Sequence, residues 1–326
     1  RFEAFLMNNN KRIAKNALFL YIRMLLSIAI SLYTSRVVLQ VLGEENYGIY
    51  GLVGSVVAMF TFLNTAMSGA TARFLTHEMA KENKENLRDT FNSALIIHIG
   101  IALLILILAE TIGLWFLHNK LVIPEERMFA AEIVYQLSVS SMIITITQVP
   151  YNATIIAHEK MDIYAYVELL NVTLKLVIVY ILLIGNFDKL ILYATLVLCV
   201  SALIAFIYRI YCVKHFDETH IRFVYRPAII KPMFAFSLWD LYGNMSVTSR
   251  QQGTNFILNM FFGVVLNAAS GIATIVQGII SGFSGNILQA FRPQIIKSYA
   301  VKEYTRMENL ISNAIKFSVL MLMIIS

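Results

Sequence analysis

Residues 31–52 read SLYTSRVVLQVLGEENYGIYGL, and the fold turns on how this stretch is understood. An apolar run carries Arg36 near its end, passes through Leu42, Gly43, Glu44 and Glu45, and enters a second apolar run at once. In a soluble helix Arg36 would belong to an ordinary polar face. The surroundings exclude that: 58% of the chain is hydrophobic and 14% charged, against about a quarter charged in a globular domain, and the mean hydropathy is +0.68. The stretch therefore reads as a tight connection between two membrane spans, in an all-α integral membrane protein.

About 20 apolar residues in helical rise cross the hydrocarbon layer. Working outward from 31–52, eight such runs lie at 17–40, 48–72, 91–117, 129–156, 163–184, 189–211, 232–259 and 264–291. A ninth begins near Leu310 and stops after about 17 residues, short of a full span, so the chain is expected to be a fragment. Met7, at the head of MNNNKRIAKNALFL, is the expected native start. The first apolar run is too long for a secretory signal. Cys199 and Cys212 lie thirteen positions apart on one expected helix, too far to bridge, and no metal site or other cofactor is expected.

Charge gives the orientation. Eighteen Lys and Arg residues fall at one end of the predicted spans, among them Lys11, Arg12, Lys15, Arg73, Lys81, Arg88, Lys160, Arg226, Lys297 and Arg306. Only Lys120, Arg127 and Lys189 fall at the other. The positive-inside rule then places the N-terminus and residues 212–231 in the cytoplasm. The net charge of +6 thus follows topology, and no nucleic-acid partner is expected.

Residues 212–231 form the longest polar connection and are read as a basic linker between a six-helix lobe (1–211) and a truncated second lobe (232–326) holding about three helices. After the linker the order repeats: a polar-striped helix, a short outer turn at FFGVV, a Gly-rich helix, a basic loop and another apolar helix. Shifting the sequence by 220 pairs Gly43 with Gly263, Gly51 with Gly271, Ala80 with Ala300 and Ala94 with Ala314. The expectation is a two-lobed helical-bundle transporter with parallel repeats.

At about 100° per residue, Asn16, Arg23, Ser27, Ser31 and Thr34 share one face of the first helix. Similar stripes run through Thr61, Asn64, Thr65, Ser68 and Thr71; Gln136, Ser140, Ser141, Thr145, Thr147 and Gln148; Glu168, Asn171 and Lys175; Asp240, Asn244, Thr248, Gln251 and Asn255; and Asn267, Ser270, Thr274, Gln277 and Ser281. The spans at 91–117 and 189–211 are nearly pure Leu, Ile, Val and Ala and are expected to face lipid. A single Ser or Thr in such a stripe reads as helix packing, as does the Gly278–Gly282 pair. Ionised groups need more, since a central Arg or Lys costs about 2.5–3.5 kcal/mol on the insertion scale. Arg23, Lys175 and Arg250 together predict a basic, water-filled cavity, while Arg36 either reaches the outer interface or stands at the cavity's outer mouth.

Arg36 with Leu42-Gly43 and Tyr47-Gly48, Ser68-Gly69 with Arg73, and Pro150 leading to AHEKMDIY resemble the polysaccharide flippases, the O-antigen and capsule repeat-unit translocases (Wzx-type) of the multidrug/oligosaccharidyl-lipid/polysaccharide (MOP) superfamily. The resemblance spans essentially the whole chain. It implies two six-helix bundles around a V-shaped cavity in the bacterial inner membrane, and alternating-access transport of an undecaprenyl-pyrophosphate-linked oligosaccharide for surface polysaccharide biosynthesis. Arg23, Lys175, Arg250 and Arg36 are then the candidates for the pyrophosphate, and Asn64, Asn171, Asn244 and Gln251 for the sugars. The polyprenyl tail would stay among membrane lipids, and the polymerase and assembly machinery are candidate partners. Family members have about twelve to fourteen helices, more than this chain carries.

The rival reading is a drug or organic-cation exporter of the same superfamily, for which Glu168 and Asp240 would be the cavity acids; in either case these two are the candidates for proton or sodium coupling. An enzyme is not expected. SGFSG at 281–285 lacks a His base downstream, since no His follows His220, and there is no P-loop GxxxxGK[ST].

Overall fold

The computed structural model describes the backbone of residues 2–58, 61–121, 123–184, 187–222 and 226–325, with the side chains there other than those of 2–10, 55, 58, 61–67, 244, 247–276, 279, 324 and 325. Helix follows helix: α1 (Phe2–Ala58), α2 (Thr61–Ala80), α3 (Lys84–Leu108), α4 (Leu114–Asn119), α5 (Glu125–Ala157), α6 (Met161–Ile181), α7 (Lys189–His215), α8 (Pro227–Ala300) and α9 (Tyr304–Ile325). Among the described residues there is no strand. Among the described residues, five segments are long and apolar enough to cross a membrane: Lys11–Gly54, Lys84–Asn119, Glu125–Ala157, Met161–Ile181 and Lys189–His215. An apolar solvent forces this outcome, because only a helix satisfies every backbone group within its own segment.

The connection that opened the sequence reading is a kink. Two helices meet there within α1, and the non-helical residue between them is Gly43, with φ 78° and ψ 164°. Without a Cβ, Gly43 occupies this region at little cost. The span expected at 91–117 is one continuous rod with a five-residue π-turn, Ala109–Gly113, between α3 and α4. Residues 261–265, expected as an outer turn, carry helical backbone throughout. Even so, α8 doubles back. Near its start Phe236 packs edge-to-face against Phe74 and lies under Arg73 of α2, and near its end Ile295 and Tyr299 line a cavity with the same Arg73 and Phe74. A straight helix would hold positions 236 and 295 about 90 Å apart.

The connection between α7 and α8 is shorter than read. α7 continues to His215, a single 3-10 turn follows at Asp217–Thr219, and α8 starts at Pro227, whose ring suits the first helical position. The connection is clamped to α3: Arg226 pairs with Asp89 at 2.8 Å and Glu85 at 2.8 Å, and the Arg222 amide donates to the Asn92 side chain at 2.7 Å. α3 and α7, expected on the lipid side, each bury one face and expose apolar side chains on the other. α3 exposes Leu103, Leu104 and Ile107, yet buries Phe91, Ala94 and His98, and Met233 of α8 joins Ala94 and Ile97 in one cluster.

The 220-residue repeat has a structural counterpart. Glu82 and Lys302 both adopt left-handed backbone, at φ 57° and 61°; α3 starts at Lys84 and α9 at Tyr304; Ala94 and Ala314 are both buried.

Candidate functional site

Arg23 anchors the site. α1 and α6 run side by side in the same direction, joined at Arg12 with Glu159, at Phe19 with Tyr166 and at Tyr33 with Tyr180. Midway along α1, the Arg23 guanidinium lies 5.1 Å from the Tyr164 ring centre. It donates to the Tyr164 hydroxyl at 3.5 Å and to the Asn286 carbonyl oxygen of α8 at 3.4 Å. Both hydrogen bonds are long and both partners are neutral; Nε is buried and receives no protein partner. No carboxylate among the described residues forms an ion pair with Arg23. Glu168, one turn beyond Tyr164, is close enough to act electrostatically on Tyr164 and Tyr208, as Arg23 also does. Gln289 of α8 lies beside the Tyr164 hydroxyl and adds a further polar group.

Four of the five residues of the α1 stripe carry enclosed polar atoms. Asn16 Nδ2, Arg23 Nε, Ser27 Oγ and Thr34 Oγ1 are all enclosed without a hydrogen-bond partner. Ser31, read onto the same stripe, is exposed. From 16 to 34 the file rises about 27 Å, nearly the hydrocarbon thickness. Such a run of unsatisfied groups is costly in an apolar solvent unless something polar meets it. On α6, Asn171 donates to Glu168 at 3.4 Å, and Lys175 continues the stripe half buried; no described residue hydrogen bonds or pairs with Lys175.

The remaining candidates lie elsewhere. Arg36 is exposed and about 20 Å along α1 from Arg23, so it does not join that site. Asp240 lies over α2, its Oδ2 3.6 Å from where a Cβ on Gly69 would stand. The side chains of Asn64, Asn244, Arg250 and Gln251 lie outside the described residues. Sequence reasoning missed Tyr164, Asn286 and Gln289. Tyr164 was within reach, because it precedes Glu168, Asn171 and Lys175 at the same helical spacing; Asn286 and Gln289 meet it only through the tertiary fold.

The two ends differ. At the end carrying few bases, Arg127 donates to Asp188 at 2.6 Å and to Asn46 at 2.6 Å, and Asp188 caps α7 by accepting from the Leu190 and Ile191 amides. The hydrogen bond from Arg127, helped by its charge and by these amides, holds the Asp188 carboxyl below the usual carboxylate range against the opposing effect of burial. At the basic end a cavity of about 760 Å³ opens between Glu78, Lys84, Arg88, His158, Phe216 and Arg222. There burial pushes the Glu218 carboxyl up, but its 2.6 Å hydrogen bond to His158 and nearby charge prevail and lower it. A second groove of about 530 Å³, apolar apart from Tyr21 and Asn313, runs between α1, α8 and α9 past Ile13, Ala17, Phe291 and Phe317.

With this geometry in hand, known proteins supply the context. A family profile described as "Polysaccharide biosynthesis protein" matches residues 13–288. No curated protein matches the chain significantly. Among solved structures, a MATE transporter in the straight conformation superposes with a TM-score of 0.82 at 15% identity, covering 96% of this chain and 70% of that one. An outward-facing multidrug resistance MATE family transporter of the MOP superfamily gives 0.80 at 17%, covering 96% and 70%. A MOP superfamily transporter from Pyrococcus furiosus Vc1 (DSM3638), whose binding pocket is described as having reverse polarity, gives 0.79 at 15%, again covering 96% and 70%.

Proposed function

Because the chain belongs to the polysaccharide biosynthesis protein family and has the fold of MOP-superfamily membrane transporters, we propose that it carries a lipid-linked, pyrophosphate-bearing oligosaccharide across the bacterial inner membrane by alternating access. The observation that carries this reading is Arg23: a guanidinium inside a membrane span, held only by neutral groups, with its Nε unsatisfied. A cation so placed is stabilised by an incoming anion, and pyrophosphate oxygens suit a guanidinium fork. The unsatisfied groups of the α1 file are suited to hydrogen bonding sugar hydroxyls. The groove past Ile13, Phe291 and Phe317 suits the polyprenyl tail. In this reading the basic end faces the cytoplasm, as charge asymmetry favours, and cargo moves from there to the periplasmic leaflet. Lys175 and Arg250 are the next cations along the route; Arg36, exposed and distant, serves the outer interface.

The test is leaflet exchange of a polyprenyl-pyrophosphate oligosaccharide in reconstituted vesicles. Arg23→Ala is expected to slow exchange about ten- to a hundredfold, the weight of one or two charge-assisted hydrogen bonds, in protein that remains folded. Unchanged exchange in that variant would remove Arg23 from the route. A second reading, export of an organic cation, is favoured by Glu168 beside the Arg23 cluster and by Asp240 over Gly69. It predicts no lipid exchange by wild type and ion-driven cation efflux that fails in Glu168→Gln.

A further inference from the structure

Three turns at the basic end share one backbone conformation. Each follows a helix that ends in alanine (Ala80, Ala157, Ala300), and each places a non-glycine residue in the left-handed region two positions later: Glu82, Glu159 and Lys302. The turn itself needs no particular side chain, since Glu82 and Lys302 are exposed. Glu159 differs. Its side chain is 0% exposed, and it faces across from the α5–α6 turn to α1 and α8.

Its partners are two cations and an amide. Arg12 of α1 bonds both carboxylate oxygens, Nε at 2.8 Å and Nη2 at 3.2 Å. Lys297 of α8 approaches at 2.6 Å. The Gln294 amide nitrogen donates to both oxygens at 2.8 Å, and Arg306 of α9 orients that amide from behind, donating to its oxygen at 3.1 Å. One buried anion thus draws together α1, α8 and α9. The donors are more than one carboxylate neutralises: Arg12 and Lys297 both answer to Glu159, while Arg306 has its own partner in Glu303 at 3.0 Å. Arg12 also keeps 47% of its side chain exposed, so the cluster opens toward the membrane surface.

We propose that Arg12, Lys297 and Gln294 form a phosphate-binding site at the basic end, which Glu159 fills while that end is closed, so that a lipid phosphate or pyrophosphate and Glu159 compete for the same donors. Fork-shaped contact by Arg, a point charge from Lys and an amide donor make a recurring phosphate-recognition set. A phosphate carries more charge and more acceptor oxygens than a carboxylate, so it can displace the internal anion as α1 and α8 separate. The cargo would then meet this site first and Arg23, about 16 Å deeper along α1, second. Glu159 would return when the phosphate moves on, which closes the end behind it. The inference rests on a phosphate-bearing cargo, but its test requires no transport.

The experiment measures binding to the full chain in two arms, inorganic pyrophosphate to detergent-solubilised protein and polyprenyl pyrophosphate to protein in nanodiscs. Each is done in an Arg23→Ala background so that the deeper site does not contribute. Glu159→Gln is expected to tighten binding about tenfold, the effect of removing one competing charge, and adding Arg12→Ala or Lys297→Ala is expected to abolish the gain. A gain in both arms assigns the site to the phosphate group alone; a gain only in nanodiscs assigns it to the lipid form. Binding unchanged within about twofold in both arms overturns the proposal. Should Glu159→Gln fail to fold, labelling decides: with Cys199 and Cys212 replaced by Ser, a Ser298→Cys reporter, buried one turn from Gln294 and not among the proposed donors, is expected to react faster with a thiol reagent when polyprenyl pyrophosphate is added. An unchanged labelling rate would equally overturn it. Loss of transport with this binding intact would instead count against the proposed function.

Discussion

At the scale of single residues, charge inside an apolar solvent is what makes this chain informative. Arg23, Glu168 and Lys175 were visible because an ionised group in a membrane span demands an explanation; their partners were not, because Tyr164, Asn286 and Gln289 are ordinary in any helix until packing aims them at a guanidinium. Arg127 and Asp188 show the same limit at the other end, where a salt bridge joins residues 61 positions apart. A pH dependence follows. Asp188 has its carboxyl lowered in the folded state, so its contribution is complete above the ordinary carboxylate value of about 4 and is lost as pH falls through the lowered one. Thermal melts of wild type should therefore lose stability below about pH 4, while Asp188→Asn, which keeps the cap but loses the charge of a partly exposed and solvent-screened pair, should be less stable at neutral pH by about 0.5 kcal/mol and flatter below.

At the scale of elements, backbone conformation sets what substitutions do. Gly43→Ala puts a Cβ on backbone with φ 78° and ψ 164°, a region almost exclusive to glycine, where nothing lies within 4 Å, so the cost is conformational alone, about 1–3 kcal/mol. Gly48→Ala, helical and equally uncrowded, should be neutral or stabilising by about 0.5–1 kcal/mol. A melt in which both variants behaved alike would contradict the kink. The repeat makes a paired forecast: Glu82→Gly and Lys302→Gly relieve the same left-handed strain on exposed residues and should each stabilise by up to about 1 kcal/mol. Helix positions were legible to within a few residues where apolar periodicity ran long. The missed details, the run-on of α7 to His215 and the π-turn at Ala109–Gly113, depend on local hydrogen bonding that hydropathy does not report.

At the scale of the whole molecule, the basic end is closed by α2 against the returning end of α8 and by the Glu159 cluster beside them. His77 and Ile295 line one cavity of about 330 Å³ there. A short flexible cross-link between His77→Cys and Ile295→Cys, in a background with the native cysteines replaced by Ser, should hold this end shut and stop lipid exchange. Exchange that survived complete cross-linking would exclude opening of this end from the transport cycle. By itself the sequence determined that the chain lives in a bilayer, which end carries the bases, where its spans begin and that its order repeats after 220 residues, because apolar length, charge asymmetry and helical period are local properties of the chain. Only the tertiary structure decided that Arg23 meets neutral groups from α6 and α8 while Arg36 stands apart, and that Glu159, one of three alike turns, is the one buried among cations. Those facts belong to helices brought together from distant parts of the chain, and residues 147 and 263 positions apart become neighbours only when the bundle has packed.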